Sequence, residues 1–278
     1  MTQQPHTVLI NGKANGCIAA TDRAFQFGDG CFTTIAVVKG QLQLWPLHWQ
    51  RLRETCKRLA IVLPNEWQAL LQQEAEYLVR EARADAAVIK IIISRGSGGR
   101  GYAVGNGLSA IRVVTLSEVP AHYQQWRDDG IELAWANLAL AQQPALAGLK
   151  TLNRLEQVLL KQELLQRDAD DLLVCDSRGL VCETIIANIF WRRAGEWFTP
   201  QLSHAGIAGV VRQQILQHNE HVHIVDATPQ QFLKAEQVFV CNALLGLVPV
   251  RKIAASNGFQ EREFKETPYP LQLNTTLE

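Results

Sequence analysis

The stretch GLKTLNRLEQVLL, residues 148–160, decides how this chain is read. From Leu152 onward it has helical spacing: Leu152, Leu155, Val158 and Leu159 recur at three- and four-residue intervals and make one apolar stripe. Lys150 stands just ahead of that stripe, after the small apolar run ALAGL. As a solvated charge it is badly placed, because the dipole at a helix N-terminus favours anions. The other reading turns it into a pocket, where a lysine does chemistry. The segment alone leaves both readings open.

Composition narrows the setting. The chain has 278 residues, 47% of them hydrophobic, enough for one large domain or two moderate ones with real cores. Lys+Arg and Asp+Glu are both 27, and no basic stripe offers a phosphate-backbone footprint, so nucleic acid is not an expected partner. The stretch MTQQPHTVLING lacks a basic region followed by a long apolar run and does not read as a secretory signal. No apolar run approaches the length of a membrane span, so no membrane partner is expected. The six cysteines form no CxxC pair and no zinc spacing, and several lie in apolar runs such as VFVCNAL and DLLVCDS. They read as small buried hydrophobes, reduced, in a cytoplasmic protein without a metal.

Working outward from residue 148, the elements alternate irregularly. TVLING reads as a strand, and FTTIAVVKGQLQLW as a hairpin turning at Lys39-Gly40. HWQRLRETCKRLAI and EWQALLQQEAEYLVREA are amphipathic helices. AAVIKIIIS and IRVVTLSEV are strands joined by the glycine loop RGSGGRG. PAHYQQWRDDG reads as a connector. This gives an N-terminal domain over 1–117, a linker over 118–126 and a C-terminal domain over 127–278. The second half begins with the strand IELAWANLAL. DLLVCDSRGLVCETIIANIFWRRAGEWFTP has the pattern of consecutive hairpins, GVVRQQILQHN is a helix entered from HAGIAG, and EQVFVCNALLGLVPVRKI closes with buried strands. The class is α+β, with many hairpins and no regular βαβ alternation.

Several groups could carry chemistry. RGSGGRG has neither the G-K-[ST] ending of a phosphate loop nor a following helix, so its glycines read as a turn. Its arginines, Arg95 and Arg100, suit bidentate recognition of a carboxylate or simple solvation in equal measure. The small residues of AGIAGVV put free backbone amides at a helix start, an anion site in principle. Glu183 lies in the otherwise apolar or weakly polar run LVCETIIANIFW. It is either an outward-facing edge residue or a buried carboxylate holding a cationic partner. Arg51 follows Trp49 on the first amphipathic helix, where an arginine is ordinarily solvated.

Taken in order, FQFGDGCFTT, QRLRETCKRL, SRGSGGRGY, GLKTLNRLEQ, CETIIANIFW, GVVRQQIL and CNALLGLVPV resemble the fold-type IV pyridoxal-phosphate enzymes. That group includes branched-chain aminotransferases, D-amino-acid aminotransferases and 4-amino-4-deoxychorismate lyases. The resemblance covers residues 8–253, and the FGDGCFTT, SRGSGGRGY and KTLNRLEQ blocks are most similar to the lyases. It implies a two-domain fold with pyridoxal 5'-phosphate at the domain interface, and a homodimer.

The resemblance also implies residue roles. Lys150 carries the covalent link to the cofactor and, once freed, acts as a base. Glu183 pairs with the pyridine nitrogen. Arg51 and the backbone amides of Val210 and Val211 hold the phosphate, and Asn242 and Ala243 close the phosphate site from the other side. Thr34 matches a hydroxyl that the lyases place near the substrate. Arg100 aligns with the substrate-carboxylate arginine of the D-amino-acid enzymes, with Arg95 as the alternative. Phe27 stands where aminotransferases commonly have tyrosine, which removes a phenol hydroxyl from the pocket. These residue types suit the chemistry: an attacking lysine must be neutral, a protonated pyridine accepts electrons, and the arginine and helix start neutralise a phosphate. The implied reaction converts 4-amino-4-deoxychorismate to 4-aminobenzoate and pyruvate, a step toward folate. Amino transfer on branched-chain or D-amino acids is the alternative on the same scaffold. A binding protein with an exposed glycine loop is a third reading and predicts no bound chromophore. The polar tail, 254–278, matches nothing usable and is expected to lie on the surface or fray.

Overall fold

The computed structural model of the protein describes residues 7–255 and 258–264. They form two compact units. One contains the chain up to Val119 together with Lys150–Asn153; the other contains Pro120–Leu149 and the chain from Arg154.

The first unit is built from β1 (Val8–Ile10), α1 (Arg23–Phe27), β2 (Gly30–Val38), β3 (Gln41–Leu42), α2 (Trp45–Arg58), α3 (Trp67–Ala82), β4 (Ala86–Ser94) and β5 (Ile111–Ser117). Its strands make one antiparallel sheet in the order β1-β5-β4-β2-β3. The β2–β3 hairpin turns on Lys39 and Gly40, with φ of 50° and 72°, the left-handed pair that a two-residue hairpin requires. β4 alternates: Ile89, Ile91 and Ile93 are fully buried, whereas Lys90 between them is exposed. Leu52 and Cys56 of α2, with Leu71, Ala75 and Leu78 of α3, recur at helical spacing and pack on the buried isoleucines. Each fully buried leucine or isoleucine contributes about 1.5–3 kcal/mol relative to exposure.

Lys150–Asn153 run beside β2. Phe32 N donates to the Lys150 carbonyl at 3.0 Å, and Leu152 N to the Gly30 carbonyl at 3.0 Å. Lys150 is therefore on an extended segment of the first unit, whereas the sequence places it in a domain spanning 127–278.

The second unit holds α4 (His122–Asp129), β6 (Ile131–Trp135), α5 (Leu155–Leu164), β7 (Asp171–Cys175), β8 (Val181–Thr184), β9 (Asn188–Arg193) and β10 (Glu196–Pro200). It continues with α6 (Val210–His218), β11 (Val222–Val225), α7 (Pro229–Phe232), β12 (Gln237–Asn242), β13 (Gly246–Ile253) and β14 (Arg262–Glu263). Its sheet runs β11-β10-β9-β12-β13-β6-β7-β8, with β14 added on β13. Pairs β10–β11, β13–β6 and β6–β7 are parallel, and the others are antiparallel. Phe232 meets Trp135 and Trp191 edge-on, at centroid distances of 6.1 and 5.4 Å, in its main core.

Three expectations change. PAHYQQWRDDG is helix α4, not a connector: Tyr123 and Trp126 are buried, their rings stack at 5.4 Å, and Trp126 Nε1 donates to Asp170. The segment has too few apolar residues for periodicity to declare itself. α5 starts at Leu155, and the expected stripe faces outward. Leu155, Val158 and Leu159 are 78%, 51% and 50% exposed, and Leu160 is the fully buried residue. Adjacent leucines gave two equally regular stripes, and Leu160 with Leu164 is the one that packs. Of the tail, Arg262–Glu263 pairs with Lys252 and Ile253, and 265–278 lies outside the described residues. Among the described residues no helix is long and apolar enough to cross a membrane.

Candidate functional site

In the first unit the site grows from β2. Lys150 lies opposite Phe32, and its Nζ is 4.6 Å from the centre of the Phe32 ring. Lys90, from β4, places its Nζ 4.9 Å from the same ring. Strand alternation puts Thr34 on the Phe32 face, where it is partly exposed and paired in register with Lys90. The aromatic ring at Lys150 is thus Phe32, which the sequence reading does not single out. Phe27 sits on α1, with the Arg23 guanidinium 5.0 Å from its ring centre and Tyr102 at 5.5 Å.

Cys31 and Thr33 point to the other face, toward α2. His48 and Arg51, three residues apart on that helix, both reach Thr33. His48 Nδ1 is 2.6 Å from Thr33 Oγ1, and Arg51 Nη2 donates to the same oxygen. Arg51 makes no ion pair among the described residues, and its Nε is buried without a hydrogen-bond partner. Burial draws its pKa down to about 10, against the opposing influence of Cys31. A buried cation with open donors calls for an anion. Burial, reinforced by the charges of Arg51 and Lys150, holds the His48 pKa well below the ordinary histidine value, so its ring is neutral.

In the second unit Glu183 lies on β8, the terminal strand of the sheet, but is buried and does not face outward, and its Oε2 accepts from Ile207 N at 2.8 Å. The loop supplying that amide approaches closely because Gly206 has φ +82°. A Cβ there would stand 2.7 Å from Cys182 Sγ and 3.2 Å from Glu183 Oε2. Gly148 N donates to Gly206 O at 2.9 Å, and Ala208 N to Gly148 O at 3.0 Å. The loop that holds Glu183 is therefore paired with the backbone two residues before Lys150.

Asn188 fixes the loop's exit, donating to Ile207 O at 2.8 Å and accepting from Gly209 N at 3.0 Å. α6 then starts at Val210 with no side-chain cap. The side chains of Val210 and Val211 are buried, so what they can offer a ligand is the backbone amides of a helix's positive end. Asn242 turns its side chain to the β12–β13 turn that contains Ala243, accepting from Leu244 N at 2.9 Å and Leu245 N at 2.8 Å. A cavity of about 490 Å3 in this unit is lined by Arg154, Val158 and Lys161 from α5 and its start and by Ile185 and Ile186 after β8. Asp171, which the sequence did not flag, is fully enclosed nearby, and burial raises its pKa to about 6 despite hydrogen bonds from Thr184 and two backbone amides.

The glycine loop separates its two arginines. Arg95 binds Asp29 through both carboxylate oxygens, at 2.7 and 2.9 Å, and donates to the Ala60 and Leu59 carbonyls at 2.8 and 2.6 Å. Those bonds tie Arg95 to the segments around Asp29 and Leu59–Ala60. Arg23 also binds Asp29, at 2.8 Å, and its other nitrogens hold the Gly101, Tyr102 and Ala103 carbonyls at 3.1–3.2 Å. Arg100, by contrast, is exposed and makes no ion pair among the described residues. The Asp29–Arg95 pair was invisible in the sequence because FGDG and the loop lie far apart in the chain.

The family described as amino-transferase class IV matches residues 30–253. An aminodeoxychorismate lyase of Vibrio harveyi is 37% identical over 250 residues, covering 88% of this chain and 91% of that protein. The crystal structure of 4-amino-4-deoxychorismate lyase from Pseudomonas aeruginosa matches with a TM-score of 0.80 and 36% identity, over 89% of this chain and 91% of that one. A D-alanine aminotransferase of Listeria monocytogenes is 23% identical over 279 residues, 96% of this chain and 93% of that protein. With its two units of mixed helix and sheet, the chain belongs to the class IV amino-transferase family and has the fold-type IV architecture.

Proposed function

We propose that this chain is a pyridoxal-phosphate-dependent lyase that converts 4-amino-4-deoxychorismate to 4-aminobenzoate and pyruvate. The observation that carries the cofactor is Arg51, a buried cation with an unpartnered Nε and no carboxylate beside it among the described residues. That donor set fits a phosphate. Lyase over aminotransferase is favoured by 37% identity to the Vibrio lyase against 23% to the Listeria aminotransferase.

In this reading Arg51 and the amides of Val210 and Val211 bind the phosphate, and the turn at Asn242 and Ala243 closes round it. Lys150 holds the cofactor covalently, and Glu183 keeps a proton on its pyridine nitrogen. Bound pyridoxal phosphate supplies an electron sink for the pair left when a proton departs the carbon bearing the substrate amine. Lys150 Nζ removes that proton from C4 as general base. The C3–O bond breaks, the ring becomes aromatic, and the enolpyruvyl group takes a proton and leaves as pyruvate. Thr34 assists that protonation, and Arg100 meets a substrate carboxylate. The protein acts as a cytoplasmic homodimer.

The test is incubation with 4-amino-4-deoxychorismate, following both products. Equimolar 4-aminobenzoate and pyruvate, dependent on added cofactor and lost in Lys150→Ala, is the expected result. Yellow, cofactor-loaded protein that yields no 4-aminobenzoate would overturn the lyase assignment and direct the assay to D-alanine and leucine as amino donors.

A further inference from the structure

We propose that Thr33 and His48 are positioning residues that aim Arg51: the Thr33 hydroxyl donates to a neutral His48 ring and so keeps a lone pair turned toward the guanidinium. The inference rests on the reading of Arg51 as the phosphate anchor and adds two residues that sequence motifs do not assign.

Proton bookkeeping fixes the direction of the chain. Thr33 is fully buried, and a hydroxyl has one proton and two lone pairs. Arginine only donates, so Thr33 Oγ1 accepts from Arg51 Nη2. Its other hydrogen-bond partner among the described residues is His48 Nδ1, at 2.6 Å. If Nδ1 carried a proton, two donors would converge on one oxygen, and the Thr33 O–H would be buried with no acceptor. If Nδ1 offers its lone pair, the chain runs from Arg51 N–H to Thr33 O–H to His48, and every group in it is used. His48 is then the Nε2–H tautomer. Its Nε2 is buried without a partner in either arrangement, so that deficit does not distinguish them. A doubly protonated ring would add a second cation beside Arg51, and the charges of Arg51 and Lys150 oppose it.

The arrangement orients Arg51 by a neutral relay. A carboxylate in place of Thr33 would offset the guanidinium charge, whereas a hydroxyl leaves that charge available to an anion. Only the hydroxyl matters in this scheme, so serine can replace threonine and isosteric valine cannot.

The test uses the full-length chain stripped of cofactor. Nitrogen-15 NMR of histidine-labelled wild-type protein reads the His48 tautomer directly, with His48→Gln to assign the signal. The expected form is Nε2–H, and an Nδ1–H tautomer overturns the relay. Titration with pyridoxal phosphate, followed by absorbance, reads the consequence. Thr33→Val weakens binding by about 10- to 100-fold, the range for losing a hydrogen bond to a charged group. Thr33→Ser restores tight binding. Thr33→Val combined with Arg51→Met binds no more weakly than Arg51→Met alone, because both remove one interaction. Wild-type affinity in Thr33→Val, with Arg51→Met weakened, overturns the positioning role. Wild-type affinity in Arg51→Met overturns the phosphate-anchor reading and with it the purpose of the relay, and the tautomer still decides whether the relay exists. That measurement is made on the wild-type chain, so a Thr33→Val protein that fails to fold does not shield the proposal.

Discussion

Gly206→Ala tests how the Glu183 site is built. Gly206 has φ +82°, and alanine in the left-handed region costs about 1–2 kcal/mol. The new methyl would also stand 2.7 Å from Cys182 Sγ and 2.8 Å from Leu202 Cδ2. Both neighbours are buried, so the crowding is not relieved by swinging into solvent and adds about 1–3 kcal/mol. The expected loss of stability is about 2–5 kcal/mol in all. Gly179 supplies the control. Its φ is +76°, but a Cβ there meets nothing within 4 Å, so Gly179→Ala carries the backbone penalty alone. Urea unfolding of both variants measures the difference, which isolates the contact. The methyl also lies 3.2 Å from Glu183 Oε2, and moving that carboxylate strains its bond to Ile207 N. Cofactor absorbance is therefore altered in Gly206→Ala and not in Gly179→Ala. If Gly206→Ala unfolds no earlier than Gly179→Ala, the close-approach account is wrong.

Two other carboxylates give predictions of opposite sign. Burial pushes the Asp29 carboxyl up, but hydrogen bonds and charges from Arg95 and Arg23 outweigh it and hold the pKa below the ordinary 3.8. A depressed folded pKa stabilises above the unfolded value and loses that stabilisation as pH falls through the folded value. Asp29→Asn should cost about 3–5 kcal/mol at neutral pH by leaving Arg23 and Arg95 uncompensated, and hydrogen exchange should report a loosened loop at residues 98–103. The penalty should shrink below pH 4, and an undiminished penalty there would contradict the assignment. Asp171 is the reverse case. Its folded pKa of about 6 stabilises fully below 3.8 and is lost as pH rises through about 6. Thermal unfolding of wild type against Asp171→Asn should diverge in favour of wild type between pH 7 and pH 4; parallel curves would refute it.

Sequence periodicity was most informative where one pattern dominated. The Lys39-Gly40 hairpin, α2, α3 and the isoleucine strand β4 all stand where residue spacing puts them. It misjudged α4, whose burial rests on Tyr123 and Trp126 alone, and α5, where neighbouring leucines left the inward face undecided. Motif order pointed to Lys150, Glu183 and Arg51; folding puts Glu183 against a loop amide and buries Arg51 with its Nε unpartnered. It could not rank Arg95 against Arg100, because the difference is Asp29, which meets Arg95 only after folding. Thr33 and His48 were equally hidden, since a strand residue and a helix residue become a pair only when α2 packs on β2. The one available hint was the three-residue spacing of His48 and Arg51 in HWQR.

The segment Lys150–Asn153 has a consequence for how the protein is made. Its backbone completes a sheet whose other strands are all translated before Val119. A nascent chain that has just finished β5 thus holds a first unit with β2 unpaired along one stretch and no Lys150. Long-range closures of this kind are slow relative to local ones. Completion waits for synthesis to run through Asn153, by which point part of the second unit has also emerged. A split protein divided at Val119 would carry Phe32 and the lysine beside it on different fragments, and their contact would form only on joining, a property suited to a reporter of fragment assembly.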